Sequence, residues 1–186
     1  DLGWFGLVLP EEYGGSGATM MDLVVLLEEF GRALVPGPFV PTVVQVGLPL
    51  LWAGDEQQRQ AYLPRLAQGE LIGTMACLEP SASSQPTAIE TTAIPHGENY
   101  LLNGTKLCVP YAHVAEYILT VARTDTGAPP DDSITLCLVD ANSAGLAIEK
   151  LGTIADDHQC EVVFNDVAVP RSQVLGEPGK GWAIVE

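Results

Sequence analysis

Four cysteines, three histidines and a strand broken by proline are the first residues in this sequence whose types could do chemistry. Cys77, Cys108, Cys137 and Cys160 stand far apart without a CxxC, and three of them sit in strand-like runs. That pattern reads as buried free thiols in a reducing cytoplasm, not a disulfide framework. His96, His113 and His158 lack metal-ligand spacing relative to one another or to a cysteine, so no metal site is expected. Asp156-Asp157-His158 has the composition of acid–base machinery, but it follows LGTIA in a loop and reads as a solvated loop. NGTKLCVPYA (103 to 112) is stranger. NGTK reads as a turn into a strand, and Pro110 then falls inside the strand-like run. Proline cannot donate to a β-ladder, so it belongs at an edge, a bulge or a ligand site.

The chain that must position these residues has 186 residues and a formal net charge of −16. That length suits one large domain or two small ones. The charge excludes nucleic acid, whose binding needs clustered Lys and Arg. It also means that the phosphates of a nucleotide cofactor need help from helix N-termini or a partner chain. The longest apolar stretch, PFVPTVVQVGLPLLWAG (38 to 54), is broken by Pro41, Gly47 and Pro49, so no membrane span is expected. The chain opens mid-pattern at DLGWFGLVLP without a signal peptide and stops at GKGWAIVE, where a helix begins; a fragment is expected.

The character of the chain changes near residue 70. Before it, Thr19 and Asp22 fit a capping box that opens MMDLVVLLEEF. The apolar residues of that helix cover most of its circumference, which predicts a well-buried helix. Gly31 is either its stop or is passed on the way to Leu34. Asp55 and Gln58 open a second helix, in which Pro64 starts a new turn or makes a kink. Gly14-Gly15 reads as a tight turn needing positive φ. After Gly73 come short runs with period-two character: TMACLEP, TAIETTAIP, NYLLNGTK, YILTVART, SITLCLVD, LAIEK and CEVVFNDVAVP. HGENY (96 to 100) reads as a hairpin turn and TDTGAPPDDS (124 to 133) as a polar, mobile loop. The pattern predicts an α+β chain: helices at 1–70, an antiparallel β-barrel-like domain at 71–176, and the start of a further helical domain at 177–186.

The order of short motifs carries more. VLPEEYGGSG, LPRLAQGELIGTMACLEP, LNGTK, EVVFNDVAVP and LGEPGKGW follow one another with sensible spacings. The sequence resembles the acyl-CoA dehydrogenase family of flavoproteins over essentially its whole length. The resemblance implies α,β-dehydrogenation of an acyl-CoA thioester, with FAD accepting a hydride. It implies homo- or hetero-oligomers and an electron acceptor such as an electron-transfer flavoprotein. The family's base is usually a Glu in the C-terminal domain, so no catalytic residue is assigned here and this chain alone is expected to be inactive.

By the same resemblance, flavin contacts come from Met75, Cys77 and Leu78 in TMACLEPSASSQP and from Cys108, Val109 and Pro110 in CVPY, while Ser84 contacts the CoA part of the substrate. Leu78 stands where the family has a Thr whose hydroxyl meets the polar edge of the flavin. Pro110 stands in place of a hydroxyl residue near N5. Cys108 replaces an aromatic cover, and Tyr111 offers a ring one residue later. Ser84 also reads as a loop serine capping its own backbone, and Pro110 as a plain strand end. Trp182 reads as a core or interface residue. The departures leave three readings: a dehydrogenase with a variant flavin pocket, a non-catalytic partner subunit of a heteromeric enzyme, and a flavin monooxygenase or oxidase on the same scaffold.

Overall fold

The computed structural model describes residues 2–83, 85–124, 127–155 and 157–186. The chain folds as α+β: helices first, then an eight-stranded sheet. Both predicted caps form. Thr19 accepts from the Asp22 amide while Asp22 accepts from the Thr19 amide, opening α1 (Met20–Ala33). Asp55 and Gln58 do the same for α3 (Glu56–Ala67). Each box satisfies donors that a helix start leaves orphaned. Helix α1 runs through Gly31 and closes on Leu34 in the left-handed region. Pro64 lies inside α3 without ending it. Between these helices, Val40–Gly47 forms a π-helix that passes directly into α2 (Leu48–Ala53).

The expectation of a well-buried α1 is corrected. Leu23 is buried, whereas Met20, Met21, Val24 and Val25 are exposed. The helix is apolar nearly all round, but only one face, with Leu26, Leu27 and Phe30, meets the core. The glycine turn is corrected as well. Gly14 is left-handed (φ 79), whereas Gly15 serves a close approach, since a Cβ there would stand 2.0 Å from the Leu9 carbonyl oxygen.

The strands are β1 (Gly73–Ala76), β2 (Thr92–His96), β3 (Asn99–Pro110), β4 (Tyr117–Arg123), β5 (Ile134–Asp140), β6 (Leu146–Lys150), β7 (Gln159–Pro170) and β8 (Val174–Leu175). They run β6-β7-β3-β2-β4-β5-β8, with β1 added beside β4. The sheet is mixed, not purely antiparallel. β1 is parallel to β4, Gly73 opposite Tyr117, because the β2–β3 hairpin between them restores the chain's direction. The hairpin turn at Gly97-Glu98 falls where HGENY predicts it.

Period-two alternation splits β4. Ile118 and Ala122 face a core shared with Leu102 of β3, Cys137 of β5 and Val162 of β7. Leu119 and Val121 face the helices, alongside Leu63 and Leu66 of α3. One core is thus fed from both halves of the sheet, and a second joins sheet to helices. Each fully buried Leu in them contributes roughly 1.5–3 kcal/mol.

NGTK is not a turn. Asn103 to Lys106 lie within β3, and the register against β7 shifts between Leu102 and Gly104. This bulge is clamped by Asn103 and Asp166, which exchange two 2.9 Å hydrogen bonds, and Gly104 (φ 151) presses on Thr91. TAIETTAIP is likewise shorter as a strand than expected. Pro86–Ala88 form a 3-10 turn, and the Glu79 carboxylate takes the Glu90 and Thr91 amides before β2 begins. Part of the expected mobile loop 124–133 lies outside the described residues.

Candidate functional site

Lys106 and Glu79 organise the region where the candidate flavin contacts lie. Lys106 is fully buried in β3, and its Nζ is 2.7 Å from Glu79 Oε1 and 3.1 Å from the Cys77 carbonyl. A buried charge needs a partner and filled hydrogen-bond positions. Glu79 also accepts the Glu90 amide at 2.7 Å and the Thr91 amide at 3.0 Å. Burial pushes the Glu79 carboxyl up, but the Lys106 ammonium and these donors hold it below its ordinary value. Burial pushes the Lys106 ammonium down, against the pull of Glu79. The pair ties the end of β1 and the loop after it to the middle of β3.

That loop carries Cys77 and Leu78. The Leu78 carbonyl accepts the Leu107 amide at 2.9 Å, while the Leu78 amide has no partner among the described residues. Cys77, Leu78, Ser83, Gln85, Pro86 and Trp182 line a cavity of about 460 Å³. Burial pushes the Cys77 thiol up, so it is a packing group and not a nucleophile. Burial pushes Cys137 up to about 12. Met75 lines a neighbouring cleft of about 300 Å³ with Gln45, Leu48 and Trp52, and Val185 and Glu186 border both spaces.

Cys108, Val109 and Pro110 line neither space. A second register shift falls between Lys106 and Val109, and Cys108 is exposed at φ 53. Val109 points into the β core. Pro110 is the last residue of β3, and its carbonyl accepts from the buried Thr74 hydroxyl at 2.6 Å. The proline is tolerated because it follows a bulge at a strand end, where no ladder donor is needed. Tyr111 turns away in the left-handed region (φ 55), and its hydroxyl accepts the Gly37 amide at 3.0 Å.

Tyr111, His113 and His158 form an aromatic cluster, with ring centroids 5.2 Å apart for the two histidines. His113 Nδ1 is 3.7 Å from the buried Cys160 sulfur, and burial, followed by Lys150 and His158, lowers its pKa. Asp157 and His158 are exposed, as the solvated-loop reading expects, and His158 meets Tyr111 and His113 by its ring. Among the described residues no group of three His, Cys, Asp or Glu side chains could hold a metal. Ser84 and Asp156 lie outside the described residues. Trp182 is partly buried against the helix-side core.

The sequence reading missed Lys106, Thr74, Gln45 and Ser83. Lys106 had a signal: a lone charge in a strand interior demands a buried partner. Gln45 and Ser83 had none.

The spaces fit part of a flavin. The larger space is walled by Cys77, Leu78, Pro86 and Trp182 with Ser83 and Gln85 beside them, an apolar lining with a few polar groups that suits an aromatic ring. No Lys or Arg lines either space, so nothing here is placed to hold a diphosphate.

Residues 1–70 match the acyl-CoA dehydrogenase N-terminal domain, and residues 74–167 match the acyl-CoA dehydrogenase middle domain. The chain belongs to the acyl-CoA dehydrogenase family. It is similar to a probable acyl-CoA dehydrogenase, YngJ, of Bacillus subtilis, at 33% identity over 98% of this chain and 49% of that protein. Among solved structures it resembles the glutaryl-coenzyme A dehydrogenase glutaryl-CoA complex with a TM-score of 0.92 at 30% identity, over 99% of this chain and 48% of that one. It also resembles the ChsE4-ChsE5 complex from Mycobacterium tuberculosis with a TM-score of 0.90 at 30% identity, over 98% of this chain and 47% of that one. The chain spans about half the length of the curated relatives it matches. Among the described residues no helix is long and apolar enough to cross a membrane.

Proposed function

We propose that the protein carrying these residues is a FAD-dependent enzyme that dehydrogenates an acyl-CoA thioester between its α and β carbons. The observation that carries this reading is the cavity walled by Cys77, Leu78 and Trp182, beside a loop that the Lys106–Glu79 pair ties to β3. When bound, FAD supplies an acceptor for the hydride from the β-carbon. The Leu78 amide would be free to donate to the ring's polar edge, and Cys77 and Ser83 would form the wall beside it. Met75 and Leu48 would wall the adjoining cleft, which would take the acyl group. The Glu79 carboxylate is committed to Lys106 and two amides, so it is not the base that takes the α-proton. The resemblance puts the base in the family's C-terminal domain, so this 186-residue chain by itself is expected to turn over no acyl-CoA. The thioester, an electron-transfer flavoprotein and further subunits are the proposed partners. The free thiols support a cytoplasmic setting.

A second reading has its own support. Leu78 and Pro110 offer no hydroxyl, Cys108 offers no ring, and no cation lines the cavities. One of the similar structures is a complex of two differently named components. In that reading the chain belongs to a partner subunit and the paralogue holds the flavin.

A visible absorbance spectrum of the complete protein, expressed alone and then with a paralogue, separates the two. A flavin spectrum from the lone protein, bleached by an acyl-CoA, is the expected result. A colourless protein that becomes yellow only in a mixed complex supports the partner-subunit reading and overturns the first.

A further inference from the structure

Arg123 ends β4, and its guanidinium is spent on a turn that lines the cavity of about 460 Å³. Nη2 donates to the Pro86 carbonyl at 2.7 Å, Nε donates to the Ile89 carbonyl at 3.0 Å, and Nη1 donates to the buried Ser133 hydroxyl. Pro86 opens the 3-10 turn Pro86–Ala88 and Ile89 follows it, so the fork grips that turn at both ends. A single 3-10 turn has poor hydrogen-bond geometry and little stability of its own. A planar guanidinium fixes several acceptors at once. Ser133 passes the restraint on by donating to the Pro130 carbonyl at 2.9 Å. The same stretch of chain seats a second wall of the cavity. The Ile134 carbonyl accepts the Gly181 amide and the buried Thr135 hydroxyl accepts the Gly179 amide, both at 2.8 Å, and Asp132 pairs with Lys180 at 2.6 Å. That seat is tight, since a Cβ on Gly179 would stand 2.8 Å from the Asp132 carbonyl oxygen. It delivers Trp182, the next residue after Gly181, to the cavity that Pro86 also lines.

We infer that Arg123 is a positioning residue of the flavin cavity: its guanidinium fixes the Pro86 wall against the stretch 130–135 that also seats Trp182, so the two walls keep one spacing. This rests on the FAD reading of that cavity. Arg123 does not line the space and touches no reacting atom. Its part is to keep the space formed in advance, which spares the ligand the cost of ordering the turn.

The test is fluorescence titration of the complete protein, stripped of flavin, with FAD, on the parent, Arg123→Lys and Val162→Ala. Lysine keeps the charge but cannot span two carbonyls and a hydroxyl. Val162→Ala is the control for lost stability, because it trims a buried side chain in the core that faces away from the helices. The expected result is FAD binding about tenfold weaker in Arg123→Lys, with its visible band shifted towards that of free FAD, and unchanged in Val162→Ala. Equal affinity in the parent and Arg123→Lys overturns the inference and leaves the FAD reading standing. Equal weakening in both variants also overturns it, since lost stability is then the cause. If Arg123→Lys does not fold, Ser133→Ala decides. It removes one contact of the fork and should weaken FAD binding about threefold; unchanged affinity overturns the inference. A parent that binds no FAD overturns the FAD reading and the inference with it.

Discussion

Lys106 Nζ sits 2.7 Å from Glu79 Oε1, with both side chains sealed from solvent, and the ammonium also reaches the Cys77 carbonyl at 3.1 Å. One ion pair thus joins β3 to the loop that carries Leu78. Removing one partner strands the other as an uncompensated buried charge. Lys106→Met should cost about 3–5 kcal/mol. For a chain of 186 residues that lowers Tm by roughly 10 °C. The double variant Lys106→Met/Glu79→Gln should recover part of the loss, because it leaves no buried charge while the amide oxygen still accepts from the Glu90 or Thr91 backbone. Thermal melts of the three proteins measure this; equal melts for single and double variants would contradict it.

The same pair predicts an acid dependence. The folded state holds Glu79 below its ordinary value of 4.5. The stability this carboxylate contributes is therefore fully present above that value. It is lost as pH falls through the lower folded value. Urea midpoints should drop on acidification below about pH 4.5. Glu79→Gln should be less stable at neutral pH yet show a shallower acid slope. A parallel slope in both proteins would mean that other carboxylates carry the effect.

The two glycines of the PEEYGG turn should respond differently. Gly14 is left-handed with open space around it, so Gly14→Ala pays only the left-handed backbone, about 1–2 kcal/mol. At Gly15 a Cβ would meet the Leu9 and Gly6 carbonyl oxygens at 2.0 and 2.6 Å, both backbone atoms. Gly15→Ala should cost about 3 kcal/mol or more, since backbone must move. Chemical denaturation of the two variants gives the order directly, and a reversed order would refute the close-approach argument.

Leu78→Thr in the complete protein adds the hydroxyl that the family carries at this position. One added hydrogen bond, worth ~1 kcal/mol, should tighten flavin binding about fivefold. Fluorescence titration with FAD measures it. No change in either variant or parent, with no binding by either, would favour the partner-subunit reading.

The sequence by itself determined what is carried by neighbours in the chain. The boxes Thr19/Asp22 and Asp55/Gln58 close over three residues, so helix starts were legible. Alternation in YILTVAR and SITLCLVD marked β4 and β5, because side chains in a strand face opposite ways in turn. The order of motifs gave the family. Tertiary structure alone decided the rest. Glu79 and Lys106 are 27 residues apart, and only the sheet brings them together. The glutamate then withdraws the Glu90 and Thr91 amides from the ladder, which shortened β2 against its pattern. The direction of β1 depends on how many times the chain reverses before β4, which no local pattern encodes. The exposure of Met21 and Val25 depends on what faces α1, since their apolar side chains are alike wherever they point. The unmet Gln45 oxygen is likewise a property of the packing around it, because an amide draws no notice in sequence until its surroundings fail to answer it.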